Sequence, residues 1–180
     1  MSNEYKEWYR ERIAEEKELV AKYPFLHVRD INGCIDTKVD FPMIGLEIPN
    51  GWYNLFYQMC DDIKDLVLKD FYFLQVKEKY NLMRCYSINS TLEVDAIIAK
   101  YERMAPYVCT ICGKPANFET SSYAASFCTD CWKDHARHEK TSQIEPKTSF
   151  VVYYFNKGVS SREKTISFED EWNRYLDRIS

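Results

Sequence analysis

Three histidines and five glycines in 180 residues leave little room for several common chemistries. The scattered glycines make no glycine-rich phosphate loop, and no Gly-x-Ser-x-Gly turn occurs. The histidines form no Ser-His-Asp order, and none lies between Gly113 and Phe127, where a nuclease of the His-Asn-His type would carry its general base. The chain is therefore expected not to be an enzyme. No apolar run of about 18 residues is present to span a bilayer, and no charged start leads into an apolar signal core, so the expectation is a soluble protein of the cytoplasm. A basic excess is missing too, the formal net charge being −4. Residues 1–108 hold 14 Lys and Arg against 18 Asp and Glu, and residues 109–165 hold 8 against 6. That balance weighs against a generic nucleic-acid binder, whose affinity comes from neutralising phosphates.

What the sequence does have is a pair of Cys-x-x-Cys motifs, Cys109-Thr-Ile-Cys112 and Cys128-Thr-Asp-Cys131, with 15 residues between them. This spacing brings four thiolates around one tetrahedral Zn²⁺. Gly113 permits the positive φ that a metal knuckle needs. Pro115 to Thr120 and Tyr123 to Phe127 read as a hairpin about Ser121-Ser122, and residues 132–140 read as a helix with Cys131 at its start. Knuckle, hairpin and helix together describe a treble-clef or zinc-ribbon finger. Four protein ligands leave no open position, so the zinc is expected to be structural. A disulfide pair and a redox Cys-x-x-Cys are the rival readings, and the duplicated motif argues against the second. His135 and His138 follow closely, and whether either replaces a cysteine is left open. Cys34, Cys60 and Cys85 are an odd number of scattered singles, as buried free thiols in a reducing compartment would be.

Hydrophobic periodicity predicts an α+β fold: helices at 3–23, 52–69, 91–105, 132–140 and 168–179, with an antiparallel sheet from the segments between. Residues 1–108 form a core domain, 109–140 the finger, and 141–180 a strand-helix extension packed on the core. Residues 25–48 read as extended, with Asn32-Gly33 as a hairpin turn and Pro42 marking an edge. His27 reads as a structural histidine. Trp52, Leu55, Phe56, Met59, Ile63, Leu66 and Val67 make the apolar stripe of the second helix. Ser90 and Glu93 are spaced as a capping box for the third. Residues 141–149 look like a linker, Phe150 to Phe155 like a strand, and Asn156-Lys157-Gly158 like a turn.

Two charged sets are candidate contact surfaces. Asp61, Asp62, Asp65 and Asp70 read most simply as a solvated helix face; the functional reading is a partner-binding patch that imitates phosphates toward a basic channel. Lys114, Lys133, Arg137 and Lys140 on the finger are the set for the alternative, nucleic-acid binding. The 14 tyrosines suggest a surface that meets a protein. The first helix offers a face for a partner or a second copy, leaving a homodimer open.

Lys22-Tyr23-Pro24, then Gly51-Trp52-Tyr53 with Leu55, Cys60 and Ile63, then Gln75-Val-Lys-Glu-Lys-Tyr80 with Arg84 and Tyr86, then a helix leading into the two cysteine pairs, resembles a widespread group of small zinc-finger-bearing proteins encoded by phages and prophages. The likeness spans about residues 20–135. Asn81-Leu-Met-Arg stands where the group has a Gly-containing turn, Met43 to Ile48 lacks cysteines that many members carry, and residues 141–180 extend past the usual end. The resemblance implies a phage protein acting in the host cytoplasm. By analogy with phage inhibitors of CRISPR nucleases, the anti-CRISPR proteins, it implies a host protein partner, a CRISPR effector nuclease being the candidate. An assembly or regulatory factor of phage growth is the plainer alternative.

Overall fold

Leu55, Phe56, Met59, Cys60 and Ile63 share one stripe of helix α2 (Tyr53–Ile63) and are fully buried, so this helix forms the floor of the core. The computed structural model describes residues 3–144, 149–156 and 159–179. Among these, the fold is α+β, with five α-helices and three small sheets. α2 is shorter than the predicted 52–69, stopping at Ile63 with Lys64 as its C-cap. Asp61, Asp62 and Asp65 crowd the end where the helix dipole is negative, and no basic residue occupies the last turn. Leu66, expected on the stripe, is exposed, while Val67 packs half-buried on the core.

Helix α1 (Asn3–Lys22) is followed by Pro24, which opens one 3-10 turn, Pro24–Leu26. One of its acidic residues turns inward. Glu16 is buried, pairs with Arg12 Nε at 2.9 Å and accepts the Met43 N–H at 3.4 Å. The extended pattern of residues 25–48 yields only β1 (Leu46–Glu47) and the isolated bridges His27–Met43 and Arg29–Ile35. The Asn32-Gly33 turn forms, with Gly33 at φ +78° and Asp30 Oδ1 accepting from the Asn32 and Cys34 N–H groups at 2.9 Å each. Burial, helped by the nearby Arg29 charge, holds the half-buried His27 below its ordinary pKa.

β1 runs parallel to β2 (Tyr72–Glu78), which pairs antiparallel with β3 (Met83–Ile88). The sheet is thus mixed rather than antiparallel, because α2 carries the chain back between β1 and β2, as a parallel pair requires. Tyr80 and Asn81, with φ of 54° and 58°, make the two-residue turn from β2 to β3. Helix α3 (Leu92–Met104) packs Val94, Ile98, Tyr101 and Met104 into the core. Its cap is Thr91, whose hydroxyl accepts from Val94 N–H at 3.3 Å, one residue beyond the predicted Ser90.

β4 (Phe118–Thr120), β5 (Ser126–Phe127) and β6 (Thr141–Gln143) form the second sheet, in the order β5-β4-β6. β6 stands where a linker was expected, and residues 145–148 of that linker lie outside the described residues. Helix α4 spans Thr129–His135 rather than 132–140. β7 (Ser149–Asn156) and β8 (Val159–Ser167) make an antiparallel ribbon beside α3, and α5 (Phe168–Ile179) packs near α2 and both strands. Lys157 and Gly158 of the expected turn lie outside the described residues.

Candidate metal centre

The sulfurs of Cys109, Cys112, Cys128 and Cys131 all lie within 4.8 Å of one another and could hold a metal ion. The backbone explains the convergence. Cys109 follows a 3-10 turn at Ala105–Tyr107, its N–H donates to Lys114 O at 2.8 Å, and the Gly113 N–H returns to Cys109 O at 3.0 Å. Gly113 takes φ +78°, as the motif predicts. The second pair sits at the start of α4, where Cys128 is the N-cap and its sulfur accepts from the Cys131 N–H at 3.5 Å. Thr110 ties the two halves, since both its N–H (2.9 Å) and its hydroxyl (3.0 Å) donate to Ser126 O.

All seven cysteines are free thiols, and the Cys112 and Cys128 sulfurs are 3.6 Å apart, well beyond a disulfide bond. Of the three single cysteines expected to be buried, Cys60 is, Cys85 is half-buried, and Cys34, in the Asn32-Gly33 turn, is exposed. His135 and His138 are exposed and outside the sulfur cluster. Burial pushes the Cys109 thiol up, but the backbone N–H groups of Cys128, Cys112 and Ile111 aimed at it leave it below its ordinary pKa. Burial raises Cys112 and Cys131, and for Cys131 the neighbouring sulfurs add to the rise. A cation among the four would favour the thiolate form of each.

The knuckle rests on the core. The Gly51 N–H donates to Thr110 O at 3.0 Å, and Trp52 Nε1 donates to Val108 O at 3.1 Å. From the far end of the chain, the buried Tyr175 hydroxyl donates to Gly113 O at 2.7 Å. Asn81, at the tip of the β2–β3 turn and only 2% exposed, donates to Glu119 Oε1 at 2.9 Å and Ser126 Oγ at 2.7 Å. Sequence reasoning singled out Gly51-Trp52 as a motif but not as the seat of the knuckle. It missed the contacts that Asn81 and Tyr175 make with the cysteine segment, and Ser126 altogether, because these join residues far apart in sequence.

The aspartates do not form one open acidic face. Asp62 accepts from Tyr101 Oη at 2.7 Å and Arg178 Nη2 at 3.1 Å and pairs with Lys100 Nζ at 3.3 Å. Lys100 is buried, its side chain 7% exposed, and also pairs with Glu171 at 2.9 Å. Asp61 pairs with Lys22 and Lys64 at 3.2 and 3.1 Å. Asp65 and Asp70 are exposed, and Asp70 accepts from Asn89 Nδ2 at 2.7 Å. Lys114, Lys133, Arg137 and Lys140 are exposed, with no ion pair among the described residues. Arg137 Nε donates to His138 Nε2 at 3.1 Å.

The structure thus defines an α+β protein with a four-cysteine site seated on its core, and among the described residues no helix is long and apolar enough to cross a membrane. The chain matches no known family model, no curated protein and no solved structure.

Proposed function

We propose that Cys109, Cys112, Cys128 and Cys131 bind a structural Zn²⁺ in a treble-clef arrangement, and that the protein is a non-catalytic, phage-type binding module for a host protein. The observation that carries the zinc reading is the closeness of the four sulfurs. Metal–sulfur bonds of about 2.3 Å in a tetrahedron place sulfurs about 3.8 Å apart, and the Cys112–Cys128 separation of 3.6 Å is close to that. Hard cations prefer oxygen donors, so an all-thiolate set favours zinc over calcium or magnesium. Elemental analysis tests it: one zinc per chain is expected, falling below half in Cys112→Ser. Iron in place of zinc, or no metal in the unmodified protein, overturns it.

The partner reading is inhibition of a host defence nuclease, as an anti-CRISPR protein would exert it. Because Asp61 and Asp62 are engaged by cations of the same chain, the contact falls to exposed apolar side chains more than to an acidic imitation of phosphate. Ile31 is one such side chain, fully exposed on the turn that Asp30 stiffens. A purified CRISPR effector nuclease should lose target cleavage when the protein is added. Undiminished cleavage across effector types rejects this reading. The four exposed cations of the finger, which make no ion pair among the described residues, favour a second reading, a nucleic-acid-binding regulator of phage growth, whose mark would be salt-dependent DNA retention.

A further inference from the structure

The outer face of the β2–β3 ribbon carries cations and rings that the core does not use. Val76 and Met83 point inward, so Lys77 and Arg84, directly opposite in the strand register, share the outer face. Like charges across a strand pair destabilise it. Lys77, Lys79 and Arg84 make no ion pair among the described residues. The neighbouring carboxylates are hydrogen-bonded by other donors, Glu47 by Gln75 Nε2 at 3.2 Å, Glu78 by the Asn81 N–H at 2.6 Å and Glu102 by the Cys85 N–H at 2.7 Å, although the Arg84 charge still acts on Glu102.

The rings give an independent observation. Tyr80 is 78% exposed and stands at φ 54° in a turn position where Asn, Asp or Gly is the ordinary choice. An aromatic there costs backbone strain and buries little in return. Tyr86, 47% exposed, lies on the same face, paired with Gln75. The Lys79 ammonium sits 5.6 Å from the Tyr80 ring centre and the Lys77 ammonium 5.2 Å from that of Tyr86. Lys79, Tyr80, Arg84 and Tyr86 border a cleft of about 480 Å³, with Cys85 and Glu102 completing its lining.

We propose that this face binds single-stranded nucleic acid, with bases stacked on Tyr80 and Tyr86 and phosphates met by Lys77, Lys79 and Arg84. Each exposed ring has a lysine ammonium over it, so a base that takes the ring face hands that ammonium to its own phosphate. Three carboxylates border the three cations, so stacking supplies more of the affinity than phosphate neutralisation does. A duplex, which hides its bases, gains little here. The site is separate from the metal centre and does not depend on the finger lysines.

Fluorescence anisotropy of the full chain with a labelled oligo(dT) of about 15 nucleotides tests the proposal. At about 50 mM salt, binding should exceed that of a duplex of equal length tenfold or more, with a log K against log[salt] slope near −2 for three phosphate contacts. Tyr80→Asn suits the turn, so it should keep the melting temperature while weakening binding about fivefold or more; Tyr86→Thr, also a good strand residue, should weaken it similarly. Zinc content should not change in either. No binding by the unmodified chain overturns the proposal, as does a duplex bound equally well. Binding lost on neutralising Lys114, Lys133, Arg137 and Lys140 but kept in both tyrosine variants assigns the site to the finger instead and also overturns it.

Discussion

Gly51 and Cys109 meet backbone to backbone. A Cβ added at residue 51 would collide with the Cys109 carbonyl oxygen and lie 2.7 Å from the Gly113 nitrogen. Both atoms belong to the knuckle, and neither can swing away as a flexible side chain would. Gly51→Ala should therefore move the first cysteine pair off the core. The cost should reach about 3 kcal/mol, the upper end of overpacking effects. Thermal melts and metal titration check this: both melting temperature and metal affinity should fall together, whereas Gly45→Ala, with nothing within 4 Å of the added methyl, should change neither appreciably.

Tyr175 ties α5 to the same knuckle through Gly113 O. Burial pushes its phenol up to about 12, so the hydroxyl remains a donor at all ordinary pH values. Tyr175→Phe keeps the ring and leaves a buried carbonyl short of its donor, which should cost about 1–3 kcal/mol. Chelator-induced metal loss should be faster in this variant, followed by a thiol reagent or a metal-sensitive dye. An unchanged release rate would mean that α5 does not brace the site.

How much of this was readable beforehand depends on sequence distance. The four cysteines, the turn at Gly113 and the α2 stripe from Leu55 to Ile63 are local patterns, and each appears where its spacing places it. The parallel pairing of β1 depends on where α2 returns the chain, and β6 depends on β4 offering it an edge; neither is written in the strand's own residues. The end of α2 is hidden because the apolar stripe runs on to Val67, while the aspartates that oppose the helix dipole read as mere surface. Asp62 shows the same limit, since its partners Lys100, Tyr101 and Arg178 come from two other helices.

That network gives a pH dependence. Burial alone would raise the Asp62 pKa, but the Tyr101 hydroxyl bond and the Lys100 and Arg178 charges bring it below the ordinary 3.8. A depressed carboxylate pKa contributes stability that is complete above the unfolded value and is lost as pH falls through the folded one. Asp62→Asn should thus destabilise at pH 7, with an effect that shrinks as pH falls below about 3.8 and is lost through the still lower folded pKa. The neutral-pH cost should be about 1–3 kcal/mol, less than for a stranded buried charge, because Glu171 still holds Lys100. Urea unfolding at pH 7 and pH 3 measures it, and an equal gap at both would show that lost packing, not charge, is responsible.

Glu102 should behave with the opposite sign. Its carboxylate caps the edge of β3 by accepting the Cys85 N–H at 2.7 Å, and burial raises its pKa above the ordinary 4.5, against the pull of that N–H, Arg84 and Arg103. A raised carboxylate pKa means that ionisation is harder in the folded chain than in the unfolded one. Stability is therefore fullest below the unfolded pKa and declines as pH rises from about 4.5 through the folded value. Glu102→Gln keeps an acceptor for the Cys85 N–H and removes the ionisation. At pH 7 it should be more stable than the unmodified chain by about 1 kcal/mol, or 2–4 °C in melting temperature, and at pH 4 the two should converge. A variant less stable at pH 7 would mean that the Arg84 and Arg103 charges outweigh the burial of the carboxylate.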